Sequence, residues 1–134
     1  MTLRCVIVDD SIAFVVAARS LLEHEGMTVL GAATNGADAL RQAAELRPDF
    51  LLVDIDLGGE SGLDLARRLA SSASPAPPVI LISTHAEEDY ANLVADTPAV
   101  GFLPKAALSA TAIRRLLDDR ADVPPRPIAR PPER

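Results

Sequence analysis

Aromatic side chains are nearly missing from this chain: three Phe, one Tyr and no Trp stand among 134 residues. Any core must therefore be built from Ala, Leu and Val, which dominate a sequence that is 49% hydrophobic. That share is globular rather than disordered composition. Cysteine is scarce as well. Cys5, the single one, cannot close an internal disulfide, and its place in the apolar run "CVIV" marks it as a small buried hydrophobe. No apolar run reaches the roughly 18 residues that a membrane span needs. No basic and apolar leader follows Met1, so a cytoplasmic protein without membrane association is expected. Positive charge is in deficit: the formal net charge is -6. Arg126, Arg130 and Arg134 against Glu133 give residues 124–134 a charge of +2, leaving -8 on residues 1–123. A body of that sign repels phosphate backbones, so no nucleic acid is expected as a partner of this domain.

The length fits one domain, here placed at residues 1–123. Residues 124–134, "PPRPIARPPER", hold five prolines and read as an extended tail or linker, because proline cannot sustain a helix or an inner strand. Five short apolar runs read as strands: Arg4–Val8, Met27–Ala33, Phe50–Val53, Val79–Ser83 and Val100–Leu103. Several lack in/out alternation, which suits strands covered on both faces. Helical spacing appears near Ser11–His24, Gly36–Leu46, Gly62–Ser71, Glu87–Ala95 and Leu108–Arg120. Strict strand and helix alternation implies a parallel sheet with helices on both sides. Ligands of such sheets bind beyond the carboxyl ends of the strands.

The stretch "LLVDIDLGGE" becomes informative there. A strand apolar enough to be buried ends in Asp54, with Asp56, Gly58 and Gly59 after it. Asp9 and Asp10 follow the first strand, Ser83 ends the fourth, and Lys105 lies just past the fifth. The topology collects them at one edge. Several carboxylates cannot share a small pocket as anions without a cation. Oxygen ligands facing one lysine suit Mg²⁺. A carboxylate beside Mg²⁺ can attack a phosphoryl group while metal, ammonium and hydroxyl stabilise the transferring oxygens.

With those residues in place, the sequence resembles the receiver domain of two-component response regulators over roughly residues 3 to 122. The matching stretches are "CVIVDDS", "AATNGADAL", "PDFLLVDIDLGGESGLDLARRL", "VILIST" and "VGFLPKAAL". The resemblance implies a flavodoxin-like doubly wound fold, a five-stranded parallel sheet of order 2-1-3-4-5 with five helices. It implies a phosphorylation-controlled switch rather than a metabolic enzyme, whose own chemistry is Mg²⁺-dependent self-phosphorylation and autodephosphorylation. Asp54 is then the phosphoacceptor, served by a histidine kinase or a histidine phosphotransfer protein. Asp10 coordinates Mg²⁺ directly, Asp9 assists through water, and Asp56 contributes its backbone carbonyl. Ser83 and Lys105 bond phosphoryl oxygens, and Ser83 and Phe102 form the switch. Asp56 and His85, each two residues past a site residue, tune the lifetime of the acyl phosphate. A phosphorylation-linked homodimer and a downstream protein or separate output domain complete the expected partners.

Gly58 stands where the family often has proline, and this should loosen the loop. On the first helix, Phe14, Ala17, Ala18 and Leu21 are expected to face the core, leaving Ile12, Val15 and Val16 as a docking surface for the phosphodonor. Two other functions compete. A receiver-like binding module that never takes phosphate would work by contacts alone. A haloacid-dehalogenase-like phosphatase also uses a "DxD" aspartate, but its chain order differs, since Asp9 and Asp10 precede Asp54-Ile55-Asp56 here.

Overall fold

The computed structural model describes residues 2–73, 75–84 and 97–122. The helix expected near Glu87–Ala95, His85 and the tail from residue 124 lie outside the described residues. In chain order the elements are β1 (Arg4–Val8), α1 (Ile12–His24), β2 (Thr28–Ala33), α2 (Gly36–Leu46), β3 (Phe50–Asp54), α3 (Gly62–Ser72), β4 (Val79–Ser83), β5 (Gly101–Pro104), a 3-10 turn (Lys105–Ala107) and α4 (Ala110–Asp122). The five strands form one sheet in the order β2-β1-β3-β4-β5, parallel throughout. This is the flavodoxin-like order, with four helices among the described residues.

Period-two geometry explains why the strands read as unbroken apolar runs. Cys5, Ile7, Phe50, Leu52, Ile80 and Ile82 point to one face, where they pack with Val15, Ala18 and Leu22 of α1 and Ile113 of α4. Their neighbours Val6, Val8, Leu51, Val53, Val79, Leu81 and Phe102 point to the other, against Ala39 of α2 and Leu65, Ala66 and Leu69 of α3. With both faces covered, alternation would leave polar groups without water, so the sequence has none.

The helices start at the carboxyl edge of the sheet, each with a side-chain oxygen accepting from the N–H three residues on. Ser11 accepts from Phe14 at 3.3 Å, Asn35 from Asp38 at 2.8 Å, Ser61 from Asp64 at 3.2 Å and Ser109 from Ala112 at 3.0 Å. Such caps satisfy donors that the first helical turn leaves unpaired. Asn35-Gly36 thus opens a helix, as its alanine-rich continuation implies. Glu25, at the end of α1, reaches across to accept the Ala110 N–H at 2.6 Å and fixes the start of α4.

Strand boundaries moved by a residue in three places, and among the helices α1 starts one residue later, α3 ends one residue later and α4 runs two residues later than expected. Asp54 belongs to β3, β5 runs one residue later than expected, and Met27 precedes β2 as a buried core residue. The core face of α1 also differs from expectation. Val15, Ala18 and Leu22 are its buried residues, whereas Phe14 is half-buried and Ala17 and Leu21 are exposed. The stripe at i, i+3 and i+7 passes through Val15, so Val15 leaves the expected docking surface and joins the core.

Candidate functional site

Three polar residues are buried among the described ones: Asp9, Asp54 and Ser83. All three lie at the carboxyl ends of strands, with Asp9 following β1, Asp54 ending β3 and Ser83 ending β4. Backbone pairing places Ser83 beside Pro104, the residue before Lys105. Asp9 is held by the start of α1, its Oδ1 accepting the Ser11 N–H at 2.8 Å. Asp54 is held by its own loop, its Oδ1 accepting the Asp56 N–H at 3.1 Å. Asp9, Asp10 and Asp54 each bring a carboxylate oxygen within 4.8 Å of the others.

Lys105 crosses to this cluster from the turn after β5. Its Nζ lies 2.7 Å from Asp9 Oδ2 and 3.3 Å from Asp54 Oδ2, and 4.3 Å from the centre of the Phe14 ring. Burial disfavours the lysine charge, but the Asp9 contact and the charges of Asp54 and Asp9 outweigh it, holding the ammonium above its ordinary pKa. Asp54 shifts upward too. Loss of hydration is the largest cause and the Asp9 charge adds to it, while the Asp56 N–H and Lys105 pull the other way. Lys105 alone therefore does not neutralise the site: three carboxylates face one ammonium.

This donor set fits a hard divalent cation. The ligand atoms are all oxygen, and Asp9 Oδ2 is fully buried yet accepts no well-aligned hydrogen bond despite its ion pair with Lys105. A buried carboxylate oxygen in that condition gains from a cation in the pocket.

Of the residues singled out by sequence, Asp9, Asp10, Asp54 and Lys105 come together directly. Asp56 sits in the adjoining loop with its side chain exposed, its Oδ1 accepting the Gly58 N–H at 3.3 Å. Phe102 is buried on the α2 and α3 face of the sheet, opposite the face that α1 covers. Sequence reasoning missed three contributors. Phe14, expected to face the core, packs partly against it and also places its ring against the lysine, a contact the sequence did not suggest. Glu60 accepts the Gly36 N–H at 2.9 Å, tying the loop after β3 to the start of α2. Gly62 packs so tightly under the Asp54 carbonyl that any Cβ would collide with that backbone. The clue to Gly62 was available, since a glycine opening a helix just past a candidate nucleophile signals close backbone approach.

Comparison with known proteins agrees with this geometry. The response regulator receiver domain family matches residues 5–117. Protein-glutamate methylesterase/protein-glutamine glutaminase 5 of Myxococcus xanthus (strain DK1622) is 45% identical over 87 residues, 64% of this chain and 25% of its own length. Response regulator GacA of Pseudomonas viridiflava is 30% identical over 106 residues, 78% of this chain and 49% of its own length. The chain thus spans between a quarter and about half of these curated relatives. Among solved structures, the signal receiver domain of the response regulator NarL from Mycobacterium tuberculosis superposes with a TM-score of 0.77 at 28% identity, covering 91% of this chain and 98% of that one. The receiver domain of a modulated diguanylate cyclase from Desulfovibrio desulfuricans G20 gives 0.73 at 32% identity, covering 89% of this chain and 93% of that one. The acidic edge of this sheet is that of a signalling domain, and the chain belongs to the response regulator receiver domain family.

Proposed function

We propose that Asp54 is the phosphoacceptor of this phosphorylation-controlled switch. The observation that carries the assignment is a buried carboxylate at the end of β3, 3.3 Å from the Lys105 ammonium and beside two further aspartates. An Asp54 carboxylate oxygen attacks the phosphorus of a phosphohistidine on a histidine kinase or phosphotransfer protein. The phosphorus–nitrogen bond breaks, and its electron pair stays on the imidazole. Lys105 moves from the carboxylate to a phosphoryl oxygen, and the Ser83 hydroxyl donates to another. Asp9, Asp10, Asp54 and the Asp56 carbonyl would hold Mg²⁺, which when bound offsets the charge that the three carboxylates and the phosphoryl group bring together. The domain's own chemistry is limited to this transfer and to hydrolysis of the acyl phosphate. Asp56 and His85 govern how easily water reaches that bond.

Charge added at Asp54 biases a two-state equilibrium through Ser83 and Phe102. The phosphoryl contacts must favour the active form by a few kcal/mol for the switch to be decisive. The relatives carry different activities in their names, an esterase in one case and a response regulator in the other, so the output is a downstream protein or a separate domain, with a phosphorylation-linked homodimer as one route to it.

The donor docks on α1. Ile12 is 64% and Val16 62% exposed, two large apolar side chains with open faces beside the acceptor edge. Reduction of the acyl phosphate with borotritide followed by peptide mapping tests the acceptor. Label in the peptide holding Asp54 supports the assignment, and label elsewhere overturns it.

A further inference from the structure

The loop between β3 and α3 carries two consecutive glycines with left-handed backbone, Gly58 at φ +61 and Gly59 at φ +106. Both need glycine's conformational freedom, but their surroundings differ. A Cβ on Gly59 would meet nothing within 4 Å, whereas a Cβ on Gly58 would lie 2.6 Å from Asp10 Oδ2 and 3.5 Å from its Cγ. The empty side of Gly58 is the space that the Asp10 carboxylate occupies.

The atom that would be struck is the free end of a short, exposed side chain. Relief therefore comes most cheaply by rotating Asp10, not by moving the fold. Rotation would take the Asp10 oxygen out of the group it forms with Asp9 and Asp54, whose ligand atoms now lie within 4.8 Å of one another. Asp9 cannot move to replace the lost Asp10 oxygen, because it is fully buried and its Oδ1 is held by the Ser11 N–H.

We propose that Gly58 is a positioning residue for the divalent cation: the missing side chain keeps Asp10 turned towards Asp9 and Asp54. The proposal rests on the Mg²⁺ site described above. It separates two consequences of a side chain at this position, since backbone strain alone would weigh more on Gly59, at φ +106, than on Gly58, at φ +61 in the region other residues can enter, while the collision belongs to Gly58.

Mg²⁺ titration of the metal-free chain tests it, by calorimetry and by amide shifts of residues 9–11 and 54–59. Four proteins are compared: wild type, Gly58→Ala, Gly58→Asn and Gly59→Ala. Asparagine tolerates left-handed backbone better than alanine yet carries the same Cβ, so it stands in if Gly58→Ala fails to fold. Both Gly58 variants should bind Mg²⁺ roughly tenfold more weakly, the size of effect typical when a ligand loses its support, with Gly59→Ala within about twofold of wild type. Wild-type affinity in both Gly58 variants, or an equal loss in Gly59→Ala, would overturn the proposal. A wild type that binds no Mg²⁺ would instead remove the metal site beneath it, a result distinguishable by its presence in all four proteins.

Discussion

Asp54 is a carboxylate held where its charge is costly. Its pKa is raised, so the folded chain binds a proton that the unfolded chain has released at intermediate pH. Stability contributed at Asp54 is therefore lost as pH rises above the ordinary carboxylate value and recovered as pH falls. In Mg²⁺-free buffer at neutral pH, Asp54→Asn should raise the melting temperature by about 3 °C, and that advantage should shrink on acidification or on adding Mg²⁺ to the wild type. A thermal melt series in pH checks this. Gly62 is the opposite case, a residue with no chemistry whose lack of a side chain sets the Asp54 backbone. Gly62→Ala should cost about 3 kcal/mol as overpacking against main chain and should slow phosphoryl uptake, measurable by denaturant unfolding and by labelling. The sequence pointed to Asp9, Asp10, Asp54 and Lys105, which the fold brings together, because each ends or follows an apolar run. It could not find Phe14 as the lysine's neighbour or Glu60 as a tie to α2, because those contacts join residues remote in the chain and carry no local pattern.

At the scale of elements, α1 serves two surfaces. Its Val15, Ala18 and Leu22 stripe anchors it to the sheet, and Ile12 and Val16 remain outside. The helix was legible from its apolar content, whereas the Ser11 cap emerged only with the structure. Its rotation was not, since apolar residues ring α1 so widely that spacing alone pointed to the face of Phe14, Ala17, Ala18 and Leu21; packing in one cluster with Ile7, Phe50 and Leu52 selects Val15, Ala18 and Leu22 instead. Val16→Glu should thus leave folding unchanged while cutting phosphorylation by the cognate donor, with acetyl phosphate as the control that is unaffected. The cross-brace from Glu25 to Ala110 spans 85 positions and was likewise invisible in the sequence. Glu25→Ala should cost about 1 kcal/mol, the usual value of a lost helix-end partner, and urea unfolding checks it.

For the whole molecule, the doubly wound order followed from strand and helix alternation together with the resemblance, while the apolar, two-faced burial of β1, β3 and β4 explains why those strands were easy to see. The buried sheet also makes Cys5 inert. Burial first, and the Glu23 charge second, push its thiol up to about 12 from the ordinary 9.0. An acid with a raised pKa keeps its proton in the fold after the unfolded chain has lost it, so stability falls as pH climbs from about 9 towards 12. Iodoacetamide should leave the native chain unmodified at pH 8 and alkylate it rapidly once urea unfolds it, read by intact mass.

The same readout addresses the assignment on which the rest depends. The chain and its Asp54→Asn variant are incubated with acetyl phosphate, with and without Mg²⁺, and weighed intact. One added phosphoryl group on the wild type, requiring both Mg²⁺ and Asp54, is the predicted result. An adduct that forms equally on Asp54→Asn, or a wild type that gains no phosphoryl group and releases no phosphate in the presence of Mg²⁺, would contradict it.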